Sequence, residues 1–502
     1  MLGKQTKQKD FFDGYVYERL LPQKHILLDI KKHIDFSFVD DEVGPLYSDR
    51  MGRPSFPPQV LFKMLFLEFF YSLSDYEIVD RARTNILFRY FIGLSISQDT
   101  PDDTTLVIFR KRLGEIAFKR LFDKVILKAK DIGIIKGNLK VIDATHIHAD
   151  IALQGAVNFL RQGRNTVISK ISRVKPQAAS VLKENFINQD RLFTPPTNEQ
   201  IKQELNVTKK FISQTKGKFN QDTEELIKLL ETAVNQQQRK ADEPGHKEPD
   251  EIVSFADPDA KYGHKSPKKK FVGYKAHISI DEQSGIVTSA RTISGNRNEG
   301  ANQEVKKLLK EDKSKDITHQ AVAADSLYDS YENRHNIHKQ NMRAFIPSRT
   351  RTRKKRPWVE NFIYDKQKDT IICPQGYSPI SKTTQEKGTL YIFSVSQCRT
   401  CNNTSGCPTP NYSRVRLFVS DNHRLKLVDN TPERRQALIR RKAIERKFGE
   451  VKKWHSLSRA RYRARWRVAI QVLMTFMVVN IKRIITLTTL TSEYSPCNAG
   501  FG

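Results

Sequence analysis

Cysteine is scarce in this chain, five residues in 502. Four of them, Cys373, Cys398, Cys401 and Cys407, crowd into one stretch, and Cys497 stands apart near the end. An odd, clustered set argues against a disulfide framework of the kind that staples small secreted domains. Acidic residues are also in deficit: 56 Asp and Glu face 86 Lys and Arg, a formal charge of +30. That excess points to a polyanionic partner, nucleic acid first, because neutralising phosphates releases counterions. A basic surface kept for solubility is the plainer alternative. Long apolar runs are missing too. The longest, Val468–Val479 ("VAIQVLMTFMVV"), contains Gln471 and is too short to span a bilayer, so it reads as a buried helix. The opening "MLGKQTKQKDFFDGY" has no apolar stretch of signal-peptide length. A soluble cytoplasmic protein, with no membrane partner, is expected.

The length suits roughly two to four domains. Residues 1–130 read as helical, and "FPPQVLFKMLFLEFFYSLSDYEIVDRARTNILFRYFIGL" places apolar residues three and four apart. Pro57 and Pro58 suit a helix start, and Ser74 with Glu77 forms a capping-box pattern. Asp103 or Thr104 caps a further helix, near whose end Arg110, Lys111 and Arg112 cluster. Short helices ending in basic residues suit a helix-turn-helix-like DNA reader, and equally a plain helical packing domain.

From Leu139 the pattern changes. "LKVID" is a short strand, followed from about 155 to 250 by a polar segment with one clear helix and flexible ends, an insertion. "FVGYKAHISID" and "GIVTSARTIS" form a hairpin through Glu282–Gly285. A helix ("NEGANQEVKKLLKE"), a strand ("HQAVAAD"), a helix ("SYENRHNIHKQ") and a strand ("RAFIP") complete a core reaching to residue 349. The order predicts an α/β fold, a mixed sheet flanked by helices. Residues 350–430 form a small-strand insertion that carries the cysteines. Residues 431–490 are helices that complete the core, with Thr431 and Pro432 at a helix start; 491–502 form a tail.

Three carboxylates carry the chemistry. Asp143 and Asp325 close strands, where backbone geometry aims side chains into a common crevice. Glu445 lies on a basic helix read as spanning 434–453. Arg441 lies about 40° round that helix from Glu445 and Lys452 about 20°, so the three make one polar stripe. Ile444, Phe448 and Val451 form the adjoining apolar stripe. Three carboxylates of this kind suit a pair of hard divalent cations, with the cationic side chains on DNA phosphates. The bland readings are strand-ending aspartates and a solvated ion-pair face.

Other groups are weighed alongside. His146 and His148 face away from Asp143 in a strand and suit no metal role. "KYGHKSPKKKF" is a phosphate contact or only a basic loop. Arg351, Arg353, Lys354, Lys355 and Arg356, beside Trp358, form the strongest basic run and suit DNA. Cys373, Cys398, Cys401 and Cys407 could close a structural Zn²⁺ site, although only Cys398 and Cys401 have Cys-x2-Cys spacing; reduced thiols serve equally well.

Taken in order, "VIDATHIHAD", "FVGYKAHISID", "VAADSLYDS" and "IERKFGEVKKWHSLSRARYR" resemble the catalytic blocks of DDE transposases of bacterial insertion sequences. "GRPSFPPQVLFKMLFLEFFYSLSDYEIVDRARTNILFRYFIGL" resembles their helical leader domain. The resemblance omits the polar insertion and the last dozen residues. Arg441, Glu445 and Lys452 match a Tyr-x2-Arg-x3-Glu-x6-Lys signature, with Leu438 in place of its Tyr. It implies a ribonuclease-H-like core in which Asp143, Asp325 and Glu445 hold two Mg²⁺ or Mn²⁺ ions; Glu450, pointing away, is the weaker candidate. It also implies cleavage and strand transfer at the inverted-repeat ends of the element, on double-stranded DNA, by a dimer when bound to DNA and in the bacterial nucleoid. A nuclease on the same core that does not join ends, and a non-catalytic DNA-binding descendant, are the alternatives.

Overall fold

β1, Leu139–His148, organises the second half of the chain. Its residues alternate, so Val141 and Ile147 join one apolar core while Ile142 joins another on the opposite face. The computed structural model describes all residues except 1, 4–10, 49–51, 53, 188–191, 244, 247, 249, 267–268, 350–360, 366, 403–406, 408–415 and 494–502. The other strands are β2 (Lys261–Ser266), β3 (Lys269–Asp281), β4 (Val287–Ser294), β5 (Ala321–Ala323) and β6 (Arg343–Phe345). They form a six-stranded sheet in the order β2-β3-β1-β5-β6, with β4 also paired to β3. β3 runs antiparallel to β1, β2 and β4; β5 and β6 run parallel to β1. This is the mixed α/β arrangement of a ribonuclease-H-like core. Gly273 sits opposite His148 at φ +149°, where a Cβ would lie 2.1 Å from the Ile147 carbonyl oxygen, so only glycine lets β3 follow β1 there.

β5 pairs with β1 only from Leu139 to Val141. Past that point β1 keeps β3 on one side, and its other edge is open until His148 bridges to Arg459. The open edge is where helix Ala443–Trp454 enters, docked by Ile444, Phe448 and Val451, as their spacing predicts. This helix is not continuous with its predecessor. Pro432–Arg440 ends and Ala443–Trp454 begins across Arg441–Lys442, where the Lys442 N–H donates to Ile439 O and the Ile444 N–H to Arg441 O. Those three-residue hydrogen bonds tighten the turn and divide the single helix expected over 434–453.

In the N-terminal half, Pro58–Tyr71 is almost wholly buried, and Ser74 and Glu77 form the expected capping box on Asp75–Thr84. Helix Asp103–Asp131 is capped by Asp102, whose carboxylate accepts the Thr105 N–H at 2.6 Å, rather than by Asp103 or Thr104. It continues past Arg110–Arg112 after a break at Gly114 (φ +60°), so those residues do not mark its end. The apolar run near the C-terminus belongs to a longer helix, Arg465–Glu493. Its part Arg465–Thr489 is long and apolar enough to cross a membrane by length and composition, and 89% of its most apolar window is buried within the protein. Gln471 is satisfied there, donating to Arg459 O at 2.9 Å and accepting the Arg461 N–H at 2.8 Å.

The polar segment after β1 is more ordered than its composition indicates. Helices Ala156–Ser172, Pro176–Phe186, Asn198–Thr215 and Gln221–Asp242 bury Leu160, Leu205, Phe211, Ile227 and Leu230 in a core of their own. Lys and Gln dilute the apolar residues without disturbing their helical spacing. The stretch "KYGHKSPKKKF" is likewise no loop: β2 pairs with the start of β3 through it. Among its described residues the cysteine-bearing region contains a two-stranded and a three-stranded sheet over Phe362, Tyr391 and Leu417.

Candidate active site

β1 and β5 position the two aspartates. Val141 pairs with Ala323, so Asp143 and Asp325 lie two residues beyond a matched pair in neighbouring parallel strands. The Asp143 carboxylate accepts the Ala144 N–H at 2.8 Å, and that of Asp325 accepts the Leu327 N–H at 2.8 Å while capping the short turn Ser326–Tyr328. Burial pushes Asp143 up to about 7; Asp325 and Glu299 add to that rise, and the Ala144 N–H and Arg441 oppose it. Asp325 is raised as well, by burial first and then by Glu299, against the Leu327 N–H and Arg441.

Arg441, at the break before the helix, joins the third carboxylate to this pair. Its guanidinium lies 3.6 Å from Asp143 Oδ2 and 3.5 Å from Glu445 Oε1. Glu445 is in the first turn of its helix, where the dipole favours an anion, and its side chain is more than half exposed. Lys452 is half-buried two turns along, its ammonium lowered by burial and by Lys265. Glu450 turns away to Lys447 at 3.0 Å and Lys482 at 3.6 Å, a structural pairing.

Sequence reasoning missed four residues here. Glu299 is ion-paired to Lys275, which also donates to Arg297 O at 2.9 Å. Tyr328, fully buried, has its hydroxyl 3.1 Å from His277 Nε2 and is raised well above the usual phenol range by burial, then by Asp143, Glu299 and Asp325. His277 is held neutral, down to about 3, by burial and then by Arg291 and Lys275. Tyr328 follows Asp325 by one turn, a detectable signal; Glu299 and Lys275 become neighbours of the aspartates only through the sheet topology. Glu299 and Lys275 also line a cleft of about 1010 Å³ with His264, Lys270, Arg297 and Leu327.

The donors suit a hard cation in part. Two carboxylates that are pushed above their usual range by burial, with Glu299 adding to both and Asp325 to Asp143, are the groups a divalent ion would relieve. Glu445 is turned to Arg441, and among the described residues no group of three or more His, Cys, Asp or Glu is drawn together to hold a metal.

Two family comparisons bear on this site. Residues 15–112 match the transposase domain DUF772, and residues 236–481 match the transposase DDE domain. The chain belongs to the DDE transposases. DDE transposases are phosphoryl-transfer enzymes that bind DNA and use divalent metal ions. In this transposase Asp325 and Glu445 fall within the DDE match, whereas β1 and Asp143 precede it. No curated protein and no solved structure matches the chain.

The remaining sequence candidates of the transposase are less engaged. Arg351, Arg353, Lys354, Lys355 and Arg356 lie outside the described residues. Arg110, one of the three basic residues expected at a helix end, is buried against Asp75 and Glu68, which takes it off any DNA-facing surface. Cys373, Cys398, Cys401 and Cys407 are unbridged and partly buried. Burial raises the Cys398 thiol, and Cys407, Cys373 and Cys401 raise it further, so the four are neighbours; they do not assemble as a metal-holding group, and structural zinc is unsupported. His146 and His148 pack against one another and Phe271.

Proposed function

We propose that this transposase cuts DNA at the inverted-repeat ends of its own insertion sequence and joins the freed 3′ ends to target DNA. The observation that carries this reading is the level placement of Asp143 and Asp325 at the open edge of β1, with Arg441 linking Asp143 to Glu445. Asp143, Asp325 and Glu445 would hold two Mg²⁺ or Mn²⁺ ions, which when bound supply an activated attacking oxygen and neutralise the leaving one. Arg441 keeps Asp143 and Glu445 facing each other while the site is empty of substrate, and turns to a phosphate when DNA enters. Lys452 contacts the same backbone further along the helix. The desolvated aspartates and the buried Tyr328 give the site a low-dielectric wall, which strengthens every charge interaction with the scissile phosphate. Basic residues 351–356 extend the DNA contact. Two ends must be synapsed, so the protein acts as a dimer on DNA, in the bacterial nucleoid.

The test is a purified-protein assay on duplexes that carry the DNA flanking the gene, searched for inverted repeats, with Mg²⁺ or Mn²⁺. Cleavage at the repeat end, and transfer of a pre-cut end into a plasmid, are expected. Cleavage without transfer would leave a nuclease, and repeat-specific binding with neither would leave a non-catalytic descendant.

A further inference from the structure

A second group of residues on the core sheet is unused by that chemistry. His146 and His148 follow Asp143 on β1, and Phe271 lies on β3, beyond Gly273, the residue paired with His148. The three rings form a compact cluster: His146 and His148 meet edge to face with centroids 5.4 Å apart, and Phe271 is 5.3 Å from the first and 5.9 Å from the second. Phe271 is buried against the glycine of β2, His146 is half-buried and His148 exposed, so the cluster has a fixed floor and an open top.

Cations ring it. Burial, then Lys452, Lys265, His148 and Lys275, push His146 down to about 4, and lysines converge on this spot from β2, β3 and the helix of Glu445. Among the described residues neither Lys452 nor Lys265 is paired with a carboxylate. Such charges are costly to hold together unless an anion compensates them. Aromatic faces among unpaired cations are the combination that holds single-stranded nucleic acid, bases stacking on rings and phosphates meeting ammonium groups. A duplex offers its phosphates but keeps its base faces covered. At about 3.3 Å per residue the two histidines lie roughly 10 and 17 Å along β1 from Asp143, on the opposite face of the strand.

We propose that His146, His148 and Phe271, with Lys265 and Lys452, form a shelf that holds a short unpaired DNA strand on the face of β1 turned away from Asp143. The shelf rests on the transposase reading only for its biological substrate; its binding chemistry can be measured separately.

The experiment uses the full-length protein and fluorescence anisotropy with two probes, a short oligothymidylate and a blunt mixed-sequence duplex. The double variant His146→Ala/His148→Ala should bind the oligothymidylate about tenfold more weakly, with duplex affinity changed less than about twofold. His148→Ala alone, at an exposed position, should show a smaller loss in the same direction, and His148→Phe should restore binding. Lys265→Ala should reduce the salt dependence of oligothymidylate binding by about 0.7 in the logarithmic slope. Unchanged oligothymidylate binding, equal weakening on both probes, or failure of His148→Phe to restore it would each overturn the shelf. Wild-type cleavage of repeat duplexes, measured in parallel, separates the two ideas: cleavage with unaffected histidine variants sinks the shelf alone, and selective strand binding without cleavage sinks the transposition reading alone.

Discussion

Asp325 stands level with Asp143 across the parallel pair of β1 and β5, because Val141 lies opposite Ala323 and each aspartate follows two residues later. The side-chain period of a strand is two, so both carboxylates leave the sheet on the face shared by Val141 and Ala323. Two anions are thereby brought together in a partly buried place, and each is raised above the usual carboxylate range.

A stability prediction follows from the sign of that shift. Asp143 is pushed up to about 7, above the 3.8 of an unperturbed aspartate. A raised carboxyl favours the folded state most when protonated, so its contribution is complete below about pH 4 and is lost as pH climbs through 7. Without divalent metal, Asp143→Asn should therefore melt about 2 °C above wild type at pH 8 and no higher than wild type at pH 4. Added Mg²⁺ should raise the wild-type melting temperature at pH 8 and leave the variant nearly unmoved. Calorimetry at the two pH values checks both arms, and a variant that is destabilised at pH 8 would contradict the cost assigned to the buried Asp143 charge.

Catalysis should fail where that stability is gained. Asp143→Asn, Asp325→Asn and Glu445→Gln are each expected to lower strand cleavage by about a thousandfold or more while repeat binding stays within about threefold. Gel assays of cleavage and of mobility shift on the same duplex separate the two effects. Wild-type cleavage in any one of the three would remove that residue from the site. Glu450→Gln is the control, expected to keep cleavage because its carboxylate belongs to Lys447 and Lys482.

Arg441 is the group to test by pH. It opposes the rise in both aspartates and holds Asp143 and Glu445 in one ion-pair chain. Arg441→Gln should shift the acidic limb of the cleavage profile to higher pH, since the aspartates would then keep their protons longer. Arg441→Lys should bring the limb most of the way back but not the full rate, because a point charge cannot span two carboxylates as a planar fork does. An unmoved acidic limb in Arg441→Gln would show that its charge does not reach the aspartates in the working enzyme.

Much of this was readable from residues alone, and the gaps have physical causes. Ser74 with Glu77, Pro58 and the stripe Ile444, Phe448, Val451 announce themselves because capping and docking are local. Asp325 follows the end of β5, whereas Asp143 lies within β1, which runs on to His148 past the short strand expected over 139–143; register aligns the two. The insertion shows only one clear helix in sequence because Lys and Gln dilute the apolar positions, such as Ile227, Leu230 and Val234, that form its core. β2 reads in sequence as a phosphate contact or a basic loop because its exposed Lys and His residues give no alternation to detect. Glu299 and Lys275 were beyond reach for a different reason: they approach the aspartates only through sheet pairing, a long-range fact that no local pattern carries.

The buried charges between the two matched regions give the last prediction. Arg110 meets Glu68 at 3.2 Å and Asp75 at 2.6 Å, and Glu68 also meets Arg461 at 3.4 Å and Tyr462 at 3.2 Å, so the N-terminal helices are tied to the segment leading into the last helix. Burial pushes Glu68 up to about 7, with Arg110 opposing the rise and Asp75 adding to it. Removing Arg110 leaves a desolvated carboxylate with less compensation, and Arg110→Met should cost about 3–5 kcal/mol in urea unfolding at pH 8. At pH 6 the loss should be smaller, because Glu68 then carries its proton and only Asp75 loses its ionic partner. Glu68→Gln in the Arg110→Met background should recover part of the loss at pH 8 and little at pH 6. A loss independent of pH, or no recovery in the double variant, would show that Arg110 acts by packing on Tyr462, whose ring lies 5.2 Å from its guanidinium, rather than by its charge.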